Sequence, residues 1–406
     1  MALPRPEPNI LAFPPPPRAA PAAVHVARLV VSDFRCYQHA ALETDGRPVV
    51  LSGPNGAGKT NLLEALSFLA PGRGLRGARL AEVDRRSAAG PRPWAVAARL
   101  AGPGGECDIG TGRDPESQEG ARERRLLRID GAPHRSLAGL PERLAVLWLT
   151  PQMDGLFTDS RSARRRFLDR LVLCFDPGHA GRLNAYEQAL AERQRLLRGE
   201  GPAPEPAWLD GLEQQIAEHG VAIAAARLDL VIRLGAALAE PEAGRFPRPG
   251  LALSGEVESW LAEMPALAAE DRLRQGLAAG RALDAETGRA HLGPHRSDLS
   301  VTFAMPGGPS NGMPAAECST GEQKALLVAI LLGQARLMSA ERGRPPLLLL
   351  DEIAAHLDQG RRRALFETLL ELGVQAWLTG TDRGLFAPLG DRAQFFAVAE
   401  ARIARN

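Results

Sequence analysis

The residues that most clearly could do chemistry are Gly53, Pro54, Asn55, Gly56, Ala57, Gly58, Lys59 and Thr60, which fit the pattern G-x-x-x-x-G-K-[ST]. Glycines let backbone N–H groups close around phosphate oxygens, and a helix starting near Lys59 would turn its positive end toward them. Lys59 has the reach for β- and γ-phosphates, and the Thr60 hydroxyl suits Mg²⁺. The flanks agree. Val49-Val50-Leu51 reads as a buried strand, and Asn61 to Ala70 carries Leu62, Leu63, Leu66 and Leu69 at helical spacing.

A second group is Asp351 and Glu352, which follow Leu347-Leu348-Leu349-Leu350. Four leucines in a row suit a strand covered on both faces of a parallel sheet. At its exit Asp351 could hold Mg²⁺ through water, and Glu352 would stand where a general base polarises an attacking water. A third group, Ser319-Thr320-Gly321-Glu322-Gln323-Lys324, precedes a helical pattern. Ser319 and Gly321 at a helix start could bind a phosphate. The same residues also read as a capping box, with Glu322 three positions after Ser319. A chain with its own phosphate loop does not need a second phosphate site, but a dimer closing over ATP does, each subunit supplying the site in trans.

These groups need elements to carry them. Residues 1–24 are rich in Pro and Ala, with Pro14 to Pro17 consecutive, and read as a disordered or polyproline-like tail. Val26 to Phe34, Pro48 to Ser52, Trp94 to Leu100 and Ala145 to Leu149 read as strands. From Arg161 to Leu197 the period becomes helical. A break at Pro202, Pro204 and Pro206 follows, then a long helix from Trp208 to Leu238 and another helical stretch from Glu256 to Ala290. Asp298 to Phe303 and Val374 to Leu378 read as strands, and Glu322 to Ala340 and Gly360 to Leu372 as helices. Mixed α/β therefore precedes and follows a helical middle.

Composition narrows the class. The chain has 406 residues and a formal net charge of +1, which excludes binding of nucleic acid or membrane by bulk positive charge. All but two of its 49 basic residues are arginine, and both lysines, Lys59 and Lys324, fall in the motifs above. Arginines gather at Arg161 to Arg170, at Arg122, Arg124, Arg125 and Arg128, and at Arg361 to Arg363. Such clusters are commonly solvated helix faces and only sometimes phosphate contacts. No apolar run approaches the ~20 residues of a membrane span. Four scattered cysteines without C-x-x-C, and no secretory signal pattern, favour a reduced, cytoplasmic setting.

The order of phosphate loop, S-x-G-E-Q, LLLLDE and Ala355-His356-Leu357-Asp358 resembles the ABC-type ATPases. More narrowly, the chain resembles the RecF family within that class, over about residues 26–390. The likeness rests on Asp33-Phe34-Arg35-Cys36-Tyr37, Gly53 to Leu66, Arg165-Arg166-Phe167-Leu168-Asp169, Gly293-Pro294-His295-Arg296-Ser297-Asp298-Leu299, the STGEQKALL run and Leu378-Thr379-Gly380-Thr381-Asp382. The resemblance implies an α/β fold, an SMC-like P-loop ATPase head interrupted by a helical lobe. The head would comprise residues 25–155 and 291–406, and the lobe 156–290. It implies ATP and Mg²⁺ as cofactors, Asp358 in the role of the D-loop residue, and slow hydrolysis, because Thr379-Gly380-Thr381-Asp382 lacks the transporter histidine. Thr381 is the candidate at that position. Gln152, after Pro151, reads either as a residue sensing Mg²⁺ or as a plain loop glutamine. The resemblance further implies an ATP-dependent homodimer that engages single- and double-stranded DNA at gaps and junctions. It implies partners of the RecR and RecO type, help in loading recombinase, and support of the SOS response, with no membrane partner. The competing readings are a transporter cassette, disfavoured by the long interval from Lys59 to Ser319, and a non-catalytic ATP-gated binding module.

Overall fold

The computed structural model describes residues 23–87, 90–116, 123–134, 136–199, 205–239, 246–304 and 312–405. The tail before Ala23, Arg122, and the break residues Pro202 and Pro204 lie outside the described residues.

The first part runs β1 (His25–Phe34), β2 (Tyr37–Glu43), β3 (Val49–Ser52), α1 (Lys59–Ser67), β4 (Arg85–Ser87), β5 (Gly90–Arg92), β6 (Ala95–Gly102), β7 (Gly105–Arg113), β8 (Arg125–Ile129), β9 (Ala132–His134), α2 (Leu140–Arg143) and β10 (Val146–Leu149). Six of these strands form an antiparallel sheet in the order β2-β1-β6-β7-β8-β9. Its strands alternate as a sheet with one covered face requires. In β6, Val96, Ala98 and Leu100 are buried, while Arg99 between them is exposed and pairs with Asp108 at 2.8 Å.

The middle part is helical: α3 (Arg161–Leu173), α4 (His179–Leu197), α5 (Pro206–Ala239), α6 (Glu256–Glu263), α7 (Ala266–Ala279) and α8 (Arg281–Thr287). Two expectations need correction. The single stretch expected from Glu256 to Ala290 is three helices, divided at Pro265, which precedes α7, and at Gly280 between α7 and α8. The stretch 156–290 is also not wholly helical, because β11 (Arg248–Ser254) lies within it and pairs antiparallel with β12 (Asp298–Ala304). Pro249 and Gly250 weaken the strand signal of β11 in sequence.

After β12 come β13 (Met313–Pro314), α9 (Thr320–Arg342), β14 (Leu347–Leu350), α10 (Gln359–Glu371), β15 (Ala376–Gly380), β16 (Gln394–Ala399) and β17 (Arg402–Arg405). The second large sheet has the order β10-β14-β15-β3-β16-β17, parallel except for β17. Its strands come from both ends of the sequence. Both faces are covered, and so the leucine run is continuous rather than alternating. Leu348 and Leu350 face the core that contains α9 residues such as Leu327 and Leu331. Leu347 and Leu349 face the core built by α1 and the antiparallel sheet. Helix α9 is buried without a break from Gln323 to Ala335, as expected of a helix that is apolar all round.

Candidate nucleotide site

Strands β3 and β14 both lie beside β15, so the loop after β3 and the carboxylates after β14 meet at one end of the sheet. In open α/β sheets this carboxyl end is where ligands bind. The loop leaves β3 at Gly53, whose N–H donates to the Gly380 carbonyl of β15 at 3.3 Å. At Gly58, φ is +112°, and a Cβ there would stand 2.6 Å from the Tyr37 hydroxyl. Glycine is therefore required on both conformational and steric grounds. Helix α1 begins at the next residue, Lys59.

Lys59 is nine-tenths buried, and its Nζ donates to the carbonyls of Gly53 and Pro54 at 2.7 and 2.8 Å. Burial pulls the ammonium below the usual lysine pKa, and the negative charges of Glu352 and Asp351 oppose that shift. The Thr60 hydroxyl donates to Asp351 Oδ1 at 2.9 Å. The same carboxylate oxygen accepts from the Thr379 hydroxyl at 2.7 Å, and Thr379 Oγ1 in turn accepts the Glu352 N–H at 2.9 Å. One hydrogen-bonded chain thus joins the loop, the Asp351 carboxylate, β15 and the backbone of Glu352. Glu352 has φ +50°, a left-handed conformation that costs a non-glycine residue ~1 kcal/mol or more. That turn sends the chain sharply away from β14 directly after Asp351.

Ser319 and Gly321 belong to a different group. Ser319 caps α9 in a full capping box: its N–H and hydroxyl donate to Glu322 Oε2 at 2.8 and 2.6 Å, and Glu322 N–H returns to Ser319 Oγ at 3.4 Å. The Ser319 hydrogen bonds hold the Glu322 carboxyl below the usual range. The Gly321 carbonyl accepts from Arg361 Nη1 at 3.2 Å, and Arg361 N–H donates to Asp358 Oδ1, the cap of α10, at 2.8 Å. The half-buried Arg361 therefore ties Gly321, two residues after the exposed Ser319, to the exposed Asp358. Gln152 is exposed on a short turn, Pro151–Met153, at the end of β10. Two residues later Asp154 accepts from Lys324 Nζ at 3.0 Å, which accounts for the second lysine: a buried ammonium tying the start of α9 to the turn that carries Gln152.

A family model described as an AAA domain matches residues 28–80, the segment that contains β3, the loop and α1. Full-length likeness is more decisive. The chain is 51% identical over 380 residues to the DNA replication and repair protein RecF of Mesorhizobium japonicum, covering 93% of this chain and 97% of that one. It is 49% identical over 387 residues to the RecF of Rhizobium rhizogenes, covering 95% and 100%. The chain belongs to the RecF family. That membership excludes the transporter reading. Among solved structures, the recombination mediator protein RecF with ATP superposes with a TM-score of 0.79 at 20% identity, over 96% of this chain and 99% of that one. An Smc head domain of Pyrococcus furiosus superposes at 0.53 and 15% identity, over 94% and 96%. The fold is thus that of the RecF and SMC heads, an ABC-type ATPase architecture.

Several side chains at this RecF-family site lie in or beside the matching runs but have no role assigned by the sequence. Glu64, fully buried on α1 one turn after Thr60, accepts from Arg35 at 2.6 and 2.9 Å and from Arg76 at 2.9 Å, while Arg76 also reaches Asn61 Oδ1 at 2.9 Å. Arg125 on β8 donates to the carbonyls of Phe68, Ala70 and Gly72 and so closes the C-terminal end of α1. Burial brings its guanidinium down to about 9. Thr379 lies in the strand end singled out by resemblance, whereas Thr381 beyond it is exposed. The described arginine clusters are divided: Arg124, Arg128, Arg161, Arg166 and Arg363 are exposed, and others are half-buried with partners inside the molecule. Arg170 stacks on Trp148 with its guanidinium 4.3 Å from the ring centre, Arg164 binds Asp298 and Arg362 binds the Ala354 carbonyl. Among the described residues no helix is long and apolar enough to cross a membrane.

Proposed function

We propose that the chain is an ATP-dependent DNA-binding protein of recombinational repair and replication-fork recovery, with weak ATPase activity. The observation that carries this reading is the chain of hydrogen bonds Thr60–Asp351–Thr379–Glu352. It presents a hydroxyl and a carboxylate to one Mg²⁺ position, with Glu352 beside them. In this reading Gly53, Pro54, Asn55, Gly56, Ala57 and Gly58 wrap the phosphates and Lys59 neutralises the β- and γ-oxygens. Thr60 and Asp351 hold Mg²⁺, with Gln152 as a further metal-side residue, and Glu352 activates water. When bound, the metal would supply charge neutralisation on the phosphates.

Ser319, Gly321 and Asp358 stand together in their own patch, as a half-site offered to a second subunit would. The ATP-bound form is therefore a homodimer, and nucleotide exchange and hydrolysis open and close it around gapped or junction DNA without sequence readout. Residues 25–155 with 291–406 act as the head, and 156–290 as the lobe. Membership in the RecF family, and the placing of a solved relative in the RecFOR pathway, support partners of the RecR and RecO type, recombinase loading, a contribution to the SOS response and a cytoplasmic setting. Sedimentation and DNA-binding titrations with and without ATP–Mg²⁺ test the proposal. ATP should convert monomer to dimer and tighten DNA binding. Identical sedimentation and affinity at saturating ATP would overturn it, whereas ATP-gated dimers and DNA binding without hydrolysis would favour the non-catalytic module.

A further inference from the structure

We infer that Arg161, Arg166 and Arg296 form a preorganised contact for the DNA sugar-phosphate backbone where α3 meets the Gly293–Leu299 run. The inference rests on the DNA-binding reading above and assigns it a place. In that run nearly every residue is turned inward. The Pro294 carbonyl accepts from Arg227 at 2.7 Å, and His295 joins Tyr186 at 2.6 Å and the Ala290 carbonyl at 3.1 Å. The Ser297 hydroxyl donates to the buried Glu258 at 2.6 Å, and Asp298 takes both arms of Arg164 at 2.7 and 2.9 Å. Arg296 alone in the run is exposed. Both neighbours are locked, so its backbone is fixed and its guanidinium projects from a rigid turn.

Helix α3 completes the surface. Arg165 donates to the Ser297 carbonyl at 2.8 Å, which fixes the first turns of α3 against the run. Arg161 is two-thirds exposed, 3.4 Å from Asp298, a carboxylate whose oxygens Arg164 already occupies. Arg166 is exposed, and its guanidinium donates to the Ser162 hydroxyl at 2.6 Å. The acids nearby are Asp298 in the run and Asp159 just before α3, while Asp169 within α3 is held by His179 and Arg227, so positive charge remains in excess.

The composition of the patch selects its partner. Among the described residues the exposed large apolar side chains (Leu126, Trp208, Ile232, Leu267 and Leu283) all lie outside α3 and the Gly293–Leu299 run. A protein interface is built around buried aromatic or aliphatic anchors. A surface of guanidinium and hydroxyl groups on a rigid frame suits phosphodiesters.

The test uses the full chain with ATP–Mg²⁺ and a fluorescent gapped duplex, titrated across a salt series. R161A, R166A and R296A should each weaken binding severalfold and reduce the slope of log K against log salt by about one, and the triple variant by about three. R296K should keep the slope. ATP affinity should be unchanged throughout. If the wild-type chain does not bind the duplex, the function proposed above fails. If it binds and the variants keep its affinity and slope, this inference is overturned and that function stands. Weakened binding with an unchanged slope also overturns it, as does unchanged DNA binding combined with lost binding of a poly-glutamate peptide, which would assign the patch to an acidic protein segment.

Discussion

Thr379→Val is the sharpest probe of the site, because it removes one hydroxyl at nearly constant shape. That hydroxyl is fully buried, donates to Asp351 at 2.7 Å and accepts from the Glu352 N–H at 2.9 Å. A hydrogen bond to a charged group contributes about 1.5–3 kcal/mol, and leaving a buried N–H unpaired costs about 1–3 kcal/mol. Asp351 keeps its bond to Thr60, so the lower halves of these ranges apply, and together they give roughly 2–4 kcal/mol. The Glu352 N–H matters most, since nothing else in the chain of bonds holds that left-handed residue in place. If half the loss is felt in the transition state, turnover falls by about tenfold. Thermal unfolding should show Tm lowered by several degrees, and steady-state ATP hydrolysis should show the lower rate. Thr379→Ser restores the hydroxyl and should recover most of both. A valine variant with wild-type Tm and turnover, or a serine variant as damaged as the valine, would refute the reasoning.

Glu352→Gln keeps the size of the side chain and removes its basicity. ATP binding should persist while the ATP-bound dimer accumulates, as read by size exclusion after ATP addition; turnover at the wild-type rate would contradict the role. Ser319→Arg places a long cation at the exposed start of α9. It should leave ATP binding intact and abolish dimers, and loss of the cap should cost about 1 kcal/mol of stability. Lys324→Met removes the buried ammonium that joins α9 to Asp154 at 3.0 Å. Asp154 is one-third exposed, so water screens the pair and the stability change should stay within about 1–2 kcal/mol. Uncoupling the turn of Gln152 from α9 should instead raise the Mg²⁺ concentration needed for half-maximal turnover; an unchanged Mg²⁺ titration would show that the lysine only packs.

The local pieces of this protein were legible in its residues. Gly58 before Lys59 and Thr60, the leucine run before Asp351, and Ser319 three positions before Glu322 are patterns whose reach is a single turn. Backbone sterics and short hydrogen bonds dictate them wherever they occur. What the sequence left open was pairing across distance. In a chain with nearly equal numbers of arginines and acids, any guanidinium could answer many carboxylates, and spacing does not choose among them. Only the sheet order places Thr379 between Asp351 and Glu352, sets Glu64 against Arg35 and Arg76, and carries Lys324 to Asp154. The tertiary structure alone separates the buried arginines, Arg193 and Arg227, from those such as Arg296 that a rigid turn holds toward solvent. Burying a guanidinium demands partners that converge from several elements at once, and that convergence exists only in the folded chain.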